Sequence, residues 1–283
     1  MGIILRDLLR NIDFKVGFVI FIIMLIFCII SFFTPYDPRT WHVVPRDLPP
    51  SLSHPFGTNS LGKDIFWDTL VALRNSISVA SLAAFISRFF SVILGLISGY
   101  KGGTVDRVIT FLTDVFLTLP LVLILLLIAS LGGKNLSPVK LGLIMGCLSW
   151  AWDTRVIRSK VLSLRESDFT YTALLSGQKS LTLVTKEYLP FIFPIVFSTF
   201  INNMIWCIGM EITLGIFGLL SVESPTLGVT LYWAIKYQAV YLGLWWWLLA
   251  PLLISIFLIV SLYLISISTS EYLDPRMRTQ RVG

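Results

Sequence analysis

VGFVIFIIMLIFCIISFFT, residues 16–34, runs for 19 residues without a charged side chain. The hydrocarbon core of a bilayer takes about 20 apolar residues wound as a helix, so the stretch reads as a transmembrane helix. It follows Lys15 and stops at Pro35 with no small-residue cleavage site after it, which marks a retained span rather than a removed secretion signal. The same ruler finds six spans along the chain, at 16–34, 74–99, 107–131, 139–158, 191–219 and 245–268. The 283 residues are 55% hydrophobic and 13% charged, against about 25% charged in a soluble domain. No segment between the apolar runs is long or mixed enough to bury a core of its own. The expected fold class is therefore all-α, a polytopic membrane protein of about six transmembrane helices.

An even number of spans puts both termini on one side and the long segments 35–66 and 220–244 on the other. Lys and Arg are retained on the cytoplasmic face. With the N-terminus inside, 14 of the 22 basic residues fall on that face and six on the outer one, with Arg74 and Arg88 inside the second span. The net charge of +6 is thus a topology signal and calls for no nucleic-acid partner. The longest inner segment, 159–190, contains YTALLSGQKSLTLVTKEYLP (171–190). Its apolar residues recur at Tyr171, Leu174 and Leu175, then at Leu181, Val184 and Tyr188, which is helical spacing on both sides of Gly177. Two short amphipathic helices are expected there, joined at a glycine that takes the left-handed conformation. A plain connection between spans needs only a handful of polar residues. A half-apolar helical one must bury its face against lipid, the neighbouring spans or a partner protein.

Six colinear stretches resemble the permease subunits of binding-protein-dependent ABC importers, in their dipeptide and oligopeptide branch. They are HPFGTNSLGKD (54–64), GYKGGTVDRVITFLTDVFLTLP (99–120), RSKVLSLRESDFTYTALLSG (158–177), Leu189 with Pro190, EITLGIFGL (211–219) and LDPRMR (273–278). The family's Glu-Ala-Ala motif is matched by Tyr171, Thr172 and Ala173, so its second alanine is kept and its glutamate and first alanine are not, while the later Gly177 and Leu189–Pro190 are kept. The resemblance implies a type I ABC importer permease fold, with an N-terminal helix and outer loop at 1–73 and the transmembrane domain at 74–283. It implies an ATPase-coupling segment within 159–190, carried by Asp168, Tyr171, Thr172, Ala173, Leu174, Gly177, Leu181, Leu189 and Pro190. It also implies the partners: a second homologous permease, two ATP-binding cassette subunits, an extracellular solute-binding protein and the membrane lipid. ATP and Mg are expected on the partner subunits and no cofactor on this chain. The expected location is the plasma (inner) membrane, and the expected solute an oligopeptide or an oligosaccharide.

The chain's own chemistry agrees with an unpowered subunit. The nearest text to a phosphate-binding loop is Gly132, Gly133, Lys134, Asn135, which lacks the earlier glycine and the hydroxyl. Cys28, Cys147 and Cys207 lie far apart in apolar runs, and His42 and His54 form no catalytic or metal-binding pattern, so no catalytic and no metal site is expected. Charges inside a span face protein or water, since each costs about 2.5–3.5 kcal/mol at the helix centre. Arg88, Asp114 and Glu211 are accordingly candidates for a solute pathway, with Arg88 paired to either acid. Trp245 and Trp246, in an aromatic group at the outer mouth, are a further candidate, against an interfacial belt. Pro120 and the SGY at 98–100 are expected to kink or end helices. The rival reading is an ATPase-independent secondary carrier or channel, whose internal repeats and paired charges the sequence does not display.

Overall fold

The structure is a computed structural model that describes residues 11–132 and 136–273. Among these, every extended regular element is helical, and the one β-type pairing is an isolated bridge between Thr58 and Asp64. The helices are α1 Ile12–Ile30, α2 Ile65–Lys101, α3 Gly103–Thr118, α4 Leu121–Gly132 and α5 Pro138–Leu148. They continue as α6 Trp150–Arg165, α7 Asp168–Leu175, α8 Leu189–Ile216, α9 Leu227–Lys236 and α10 Trp245–Leu273.

Four stretches are long and apolar enough to cross a membrane: Ile12–Phe33, Ile65–Lys101, Leu183–Ile216 and Trp245–Glu271. Helices α3 and α4 qualify as a pair, bent by 72° at their junction, because Pro120 donates no backbone hydrogen bond and Leu119 before it is held extended. The expected span at 139–158 is divided at Ser149 into α5 and α6; neither piece alone reaches the length of a bilayer core, so a crossing there takes both, as it does at α3 and α4. Helix α2 carries through residues 98–100 and ends just past them, at Lys101. The segment 220–244, expected as a loop, contains α9, whose N-cap Thr226 accepts from the Val229 N–H.

Helix α2 is the central post, packed on α1, α3, α5, α6 and α8, while α10 lies against α1 and α8. Helices α2 and α6 pack closely, and the sequence GLISG at 95–99 allows it. A β-carbon on Gly95 would stand 2.7 Å from Ile157 Cγ2, and one on Gly99 would stand 2.7 Å from Val161 Cβ. Two glycines four apart let the helix backbones meet, which is how membrane helices gain dispersion energy where lipid supplies no hydrophobic drive.

The stretch 54–64 is a buckle ahead of α2. His54 Nδ1 lies 2.7 Å from Asp64 Oδ2, while Asp64 Oδ1 caps α2 by accepting from the Phe66 N–H at 2.9 Å. Asn59 Oδ1 accepts from the Leu61 and Lys63 N–H groups at 3.0 and 2.9 Å. Trp246 Nε1 donates to the Thr58 carbonyl at 3.3 Å, tying the buckle to α10. The motif therefore serves structure. Gly133, Lys134, Asn135 and residues 274–278 of the C-terminal match lie outside the described residues.

Candidate functional site

The connection from α6 to α8 is an elbow bolted to the bundle on one face and open on the other. At its start, Ser167 Oγ donates to the Leu164 carbonyl, and Thr170 Oγ1 donates to the same oxygen at 2.7 Å. Helix α7 ends at Gly177, whose φ is +79° with open space where a side chain would sit. The Gly177 N–H bonds to the Leu174 carbonyl at 3.0 Å and the Gln178 N–H to the Ala173 carbonyl at 3.1 Å. That pair of bonds turns the chain sharply off the helix end. Beyond it come a single turn at Ser180–Thr182 and a π-helical stretch Leu183–Tyr188 leading into α8. The expected second amphipathic helix is thus a turn and a π-segment fused to the following span.

The buried face differs from the expected stripe. Thr170, Leu183, Tyr188 and Ile192 are sealed against Ile157, Val161 and Leu164 of α6, with Phe169 and Ala173 beside them and Leu96 and Tyr100 of α2 packed on. Phe169 stacks on Phe191 with ring centres 5.5 Å apart. Tyr171, Leu174 and Leu175 point outward, 56%, 47% and 90% exposed. Asp168, Thr172, Gly177, Leu189 and Pro190 are also exposed, and the side chain of Leu181 lies outside the described residues. Sequence reasoning missed Thr170, whose buried hydroxyl bonds the Leu164 carbonyl and Tyr188 and anchors α7. No residue-type signal separates it from Thr172 one turn-face away.

The ionisable residues are paired otherwise than expected. Arg88 bonds neither Asp114 nor Glu211. Its Nη2 donates to Asp153 Oδ2 at 3.0 Å, the two side chains being 8% and 7% exposed. A lone arginine in an apolar span demands a counter-ion, and Asp153 inside the run 139–158 was the available signal. Asp114 pairs with Arg155 in a half-exposed bridge. Asp106 takes Arg158 through both Nε and Nη2, at 2.5 and 2.7 Å, and Ser98 Oγ at 2.5 Å. Glu211, with no exposed surface, accepts from Ser76 Oγ at 2.8 Å, Thr226 Oγ1 at 2.5 Å and the Gly228 N–H at 3.1 Å. It knots α2, α8 and α9 together.

Trp245 is exposed and, with Trp246, lines an apolar groove of about 580 Å³ between α1 and α10. Trp247 is buried. Arg88, Asp114, Glu211, Trp245 and Trp246 do not converge on one cavity. Among the described residues, no group of three His, Cys, Asp or Glu is placed to hold a metal ion.

Comparison with known proteins places these features in context. The family described as binding-protein-dependent transport system inner membrane component matches residues 91–279. Over 277 residues the chain is 26% identical to the dipeptide transport system permease protein DppC of Bacillus subtilis, covering 96% of this chain and 85% of that protein. It is 31% identical over 176 residues to the oligopeptide transport system permease protein OppC of Bacillus subtilis, covering 62% of this chain and 57% of that protein. It is 32% identical over 143 residues to the nickel transport system permease protein NikC of Escherichia coli, covering 50% and 51% respectively.

Proposed function

Because the chain belongs to the family of binding-protein-dependent transport system inner membrane components, a class of ABC importer permease, we propose that it carries peptides across the membrane and is driven through the elbow by partner ATPase subunits. The dipeptide and oligopeptide names of its relatives support peptides. None of the relatives named above is a sugar permease, so the oligosaccharide reading is set aside. The partners are a second permease that completes the path, two ATP-binding cassette subunits that hold ATP and Mg, and an extracellular binding protein that delivers the solute. This chain binds no cofactor of its own. It lies in the plasma (inner) membrane with both termini and the elbow in the cytoplasm, the orientation that its basic residues favour.

One observation carries the mechanism: three exposed apolar side chains, Tyr171, Leu174 and Leu175, sit on a helix whose opposite face is sealed to α2, α6 and α8. Fully burying such a side chain is worth about 1.5–3 kcal/mol, so an apolar groove on the ATPase gains from covering them without help from the missing motif glutamate. Closure of the ATPase pair then moves α7, and the sealed face passes that motion to three membrane helices at once. Differential contact with the two ATPase states supplies the coupling, and the bundle alternates its access.

The test is the double substitution Leu174→Glu with Leu175→Glu, both exposed on the open face. The permease is expected to insert and fold normally, to lose its co-purifying ATPase, and to show no receptor-stimulated ATP hydrolysis in vesicles. Stimulated hydrolysis at the unsubstituted rate, or uptake that proceeds without any ATPase, would sink the proposal in favour of an independent carrier.

A further inference from the structure

A cavity of about 340 Å³ opens where three discontinuities meet. Its walls come from the α3–α4 bend, from the α5–α6 break at Ser149, and from the middle of α8. Asn202 and Asn203 stand halfway along the 28-residue α8, at the depth of a bilayer midplane when that helix spans. Discontinuous helices at the midplane are where transporters place solute contacts, because irregular backbone is tolerated in a membrane only beside protein or water. The volume falls within the range of small-ligand sites, about 300–1,000 Å³.

The polar lining is Ser149, Asp153, Asn202 and Asn203, framed by Trp152 and Trp206. Ser149 Oγ is buried with no partner among the described residues. Asp153 gives Oδ2 to Arg88, and an ionised carboxylate retains acceptor capacity beyond one bond. Arg88 stands behind Asp153 and does not line the cavity, and no cationic side chain does. Asn203 Nδ2 donates to Ser87 Oγ and its Oδ1 accepts from Cys207 Sγ, both at 3.4 Å, and Asn202 Oδ1 accepts from Ser266 Oγ at 2.8 Å. The lining thus offers a solute the Asn202 amide N–H groups, Ser149 and the second Asp153 oxygen between two indole faces, with the unpaired Arg88 Nε and Nη1 buried behind it. Indole faces attract ammonium groups.

We propose that this chamber is a solute-contact site for the amino end of a peptide: Asp153 accepts from its ammonium, Trp152 and Trp206 flank the charge, and Ser149 and the Asn202 amide N–H groups bond the first peptide groups. The assignment rests on the importer reading above and adds the part of the solute that this chain handles.

The test uses the assembled transporter in lipid vesicles with its own binding protein, and radiolabelled trialanine and N-acetyl-trialanine as probes, each rate corrected for the receptor's measured occupancy. Trp152→Leu is made at an exposed position, and Asn202→Leu keeps the helix. Each is expected to cut trialanine uptake several-fold, up to about tenfold, the worth of a cation–π contact for Trp152 and of a neutral hydrogen bond for Asn202, while receptor-stimulated ATP hydrolysis persists. Arg88→Met combined with Asp153→Leu removes the pair without stranding a charge and is expected to abolish discrimination between the two probes. Unchanged trialanine uptake in these variants overturns the site. So does a wild-type complex that hydrolyses ATP on receptor binding yet carries neither probe or favours the acetylated one. Persistent hydrolysis in every chamber variant separates these results from a failure of the importer reading, which the elbow variant alone reports.

Discussion

Tyr188 and Thr170 join hydroxyls across 3.1 Å, 18 residues apart in the chain. Thr170 has one hydroxyl hydrogen, and it goes to the Leu164 carbonyl, so Tyr188 is the donor between them. The end of α6, the buried face of α7 and the start of α8 are thereby held by one buried relay. Tyr188→Phe removes the donor and keeps the ring that packs on Tyr100 and Phe169. The expected loss of stability is about 1 kcal/mol, visible as a small fall in the detergent unfolding temperature. The expected loss of coupling is larger, read as ATP hydrolysed per solute carried. A coupling ratio equal to that of the unsubstituted protein would remove the relay from the mechanism.

The Arg88–Asp153 pair predicts strong non-additivity. Arg88→Met alone leaves a buried carboxylate without its counter-charge, a loss of about 3–5 kcal/mol. Adding Asp153→Leu removes the stranded charge and is expected to recover most of that loss, since apolar pairs replace buried ion pairs well. Thermal unfolding of the four proteins of this cycle measures it, and additive losses would mean that the two side chains act separately.

Glu211 predicts a graded series. Glu211→Leu leaves the Ser76 and Thr226 hydroxyls and the Gly228 N–H without their acceptor, and each stranded group costs about 1–3 kcal/mol. Glu211→Gln keeps an acceptor oxygen and is expected to cost clearly less. The folded fraction after detergent extraction should rank wild type, Gln, Leu. Equal yields for Gln and Leu would contradict the hydrogen-bonded knot.

Packing of α2 on α6 predicts sensitivity at two small positions. Gly95→Val or Gly99→Val drives side-chain atoms into Ile157 or Val161, already 2.7 Å from an added β-carbon. Overpacking of this kind costs about 1–3 kcal/mol. A compensating Ile157→Ala should restore part of the loss in Gly95→Val and none in Gly99→Val, read as unfolding temperature. Equal rescue of both would place the contact elsewhere.

Hydropathy and residue spacing determined the helical class, the membrane environment, the positions of the apolar runs, the break at Pro120 and the turn at Gly177. These are properties of single segments: a bilayer selects apolar length, proline removes a donor, and glycine alone takes a positive φ without strain. The outward direction of Tyr171, Leu174 and Leu175, the partner of Arg88, the knot around Glu211 and the chamber at Ser149 came only with the tertiary structure. Each depends on which side chain meets which across tens of residues, 65 between Arg88 and Asp153 and 135 between Ser76 and Glu211. Helical periodicity reports that an apolar face exists. Which face is sealed depends on competing surfaces elsewhere in the chain, and here Thr170 and Tyr188 anchor α7 with Tyr171, Leu174 and Leu175 left exposed.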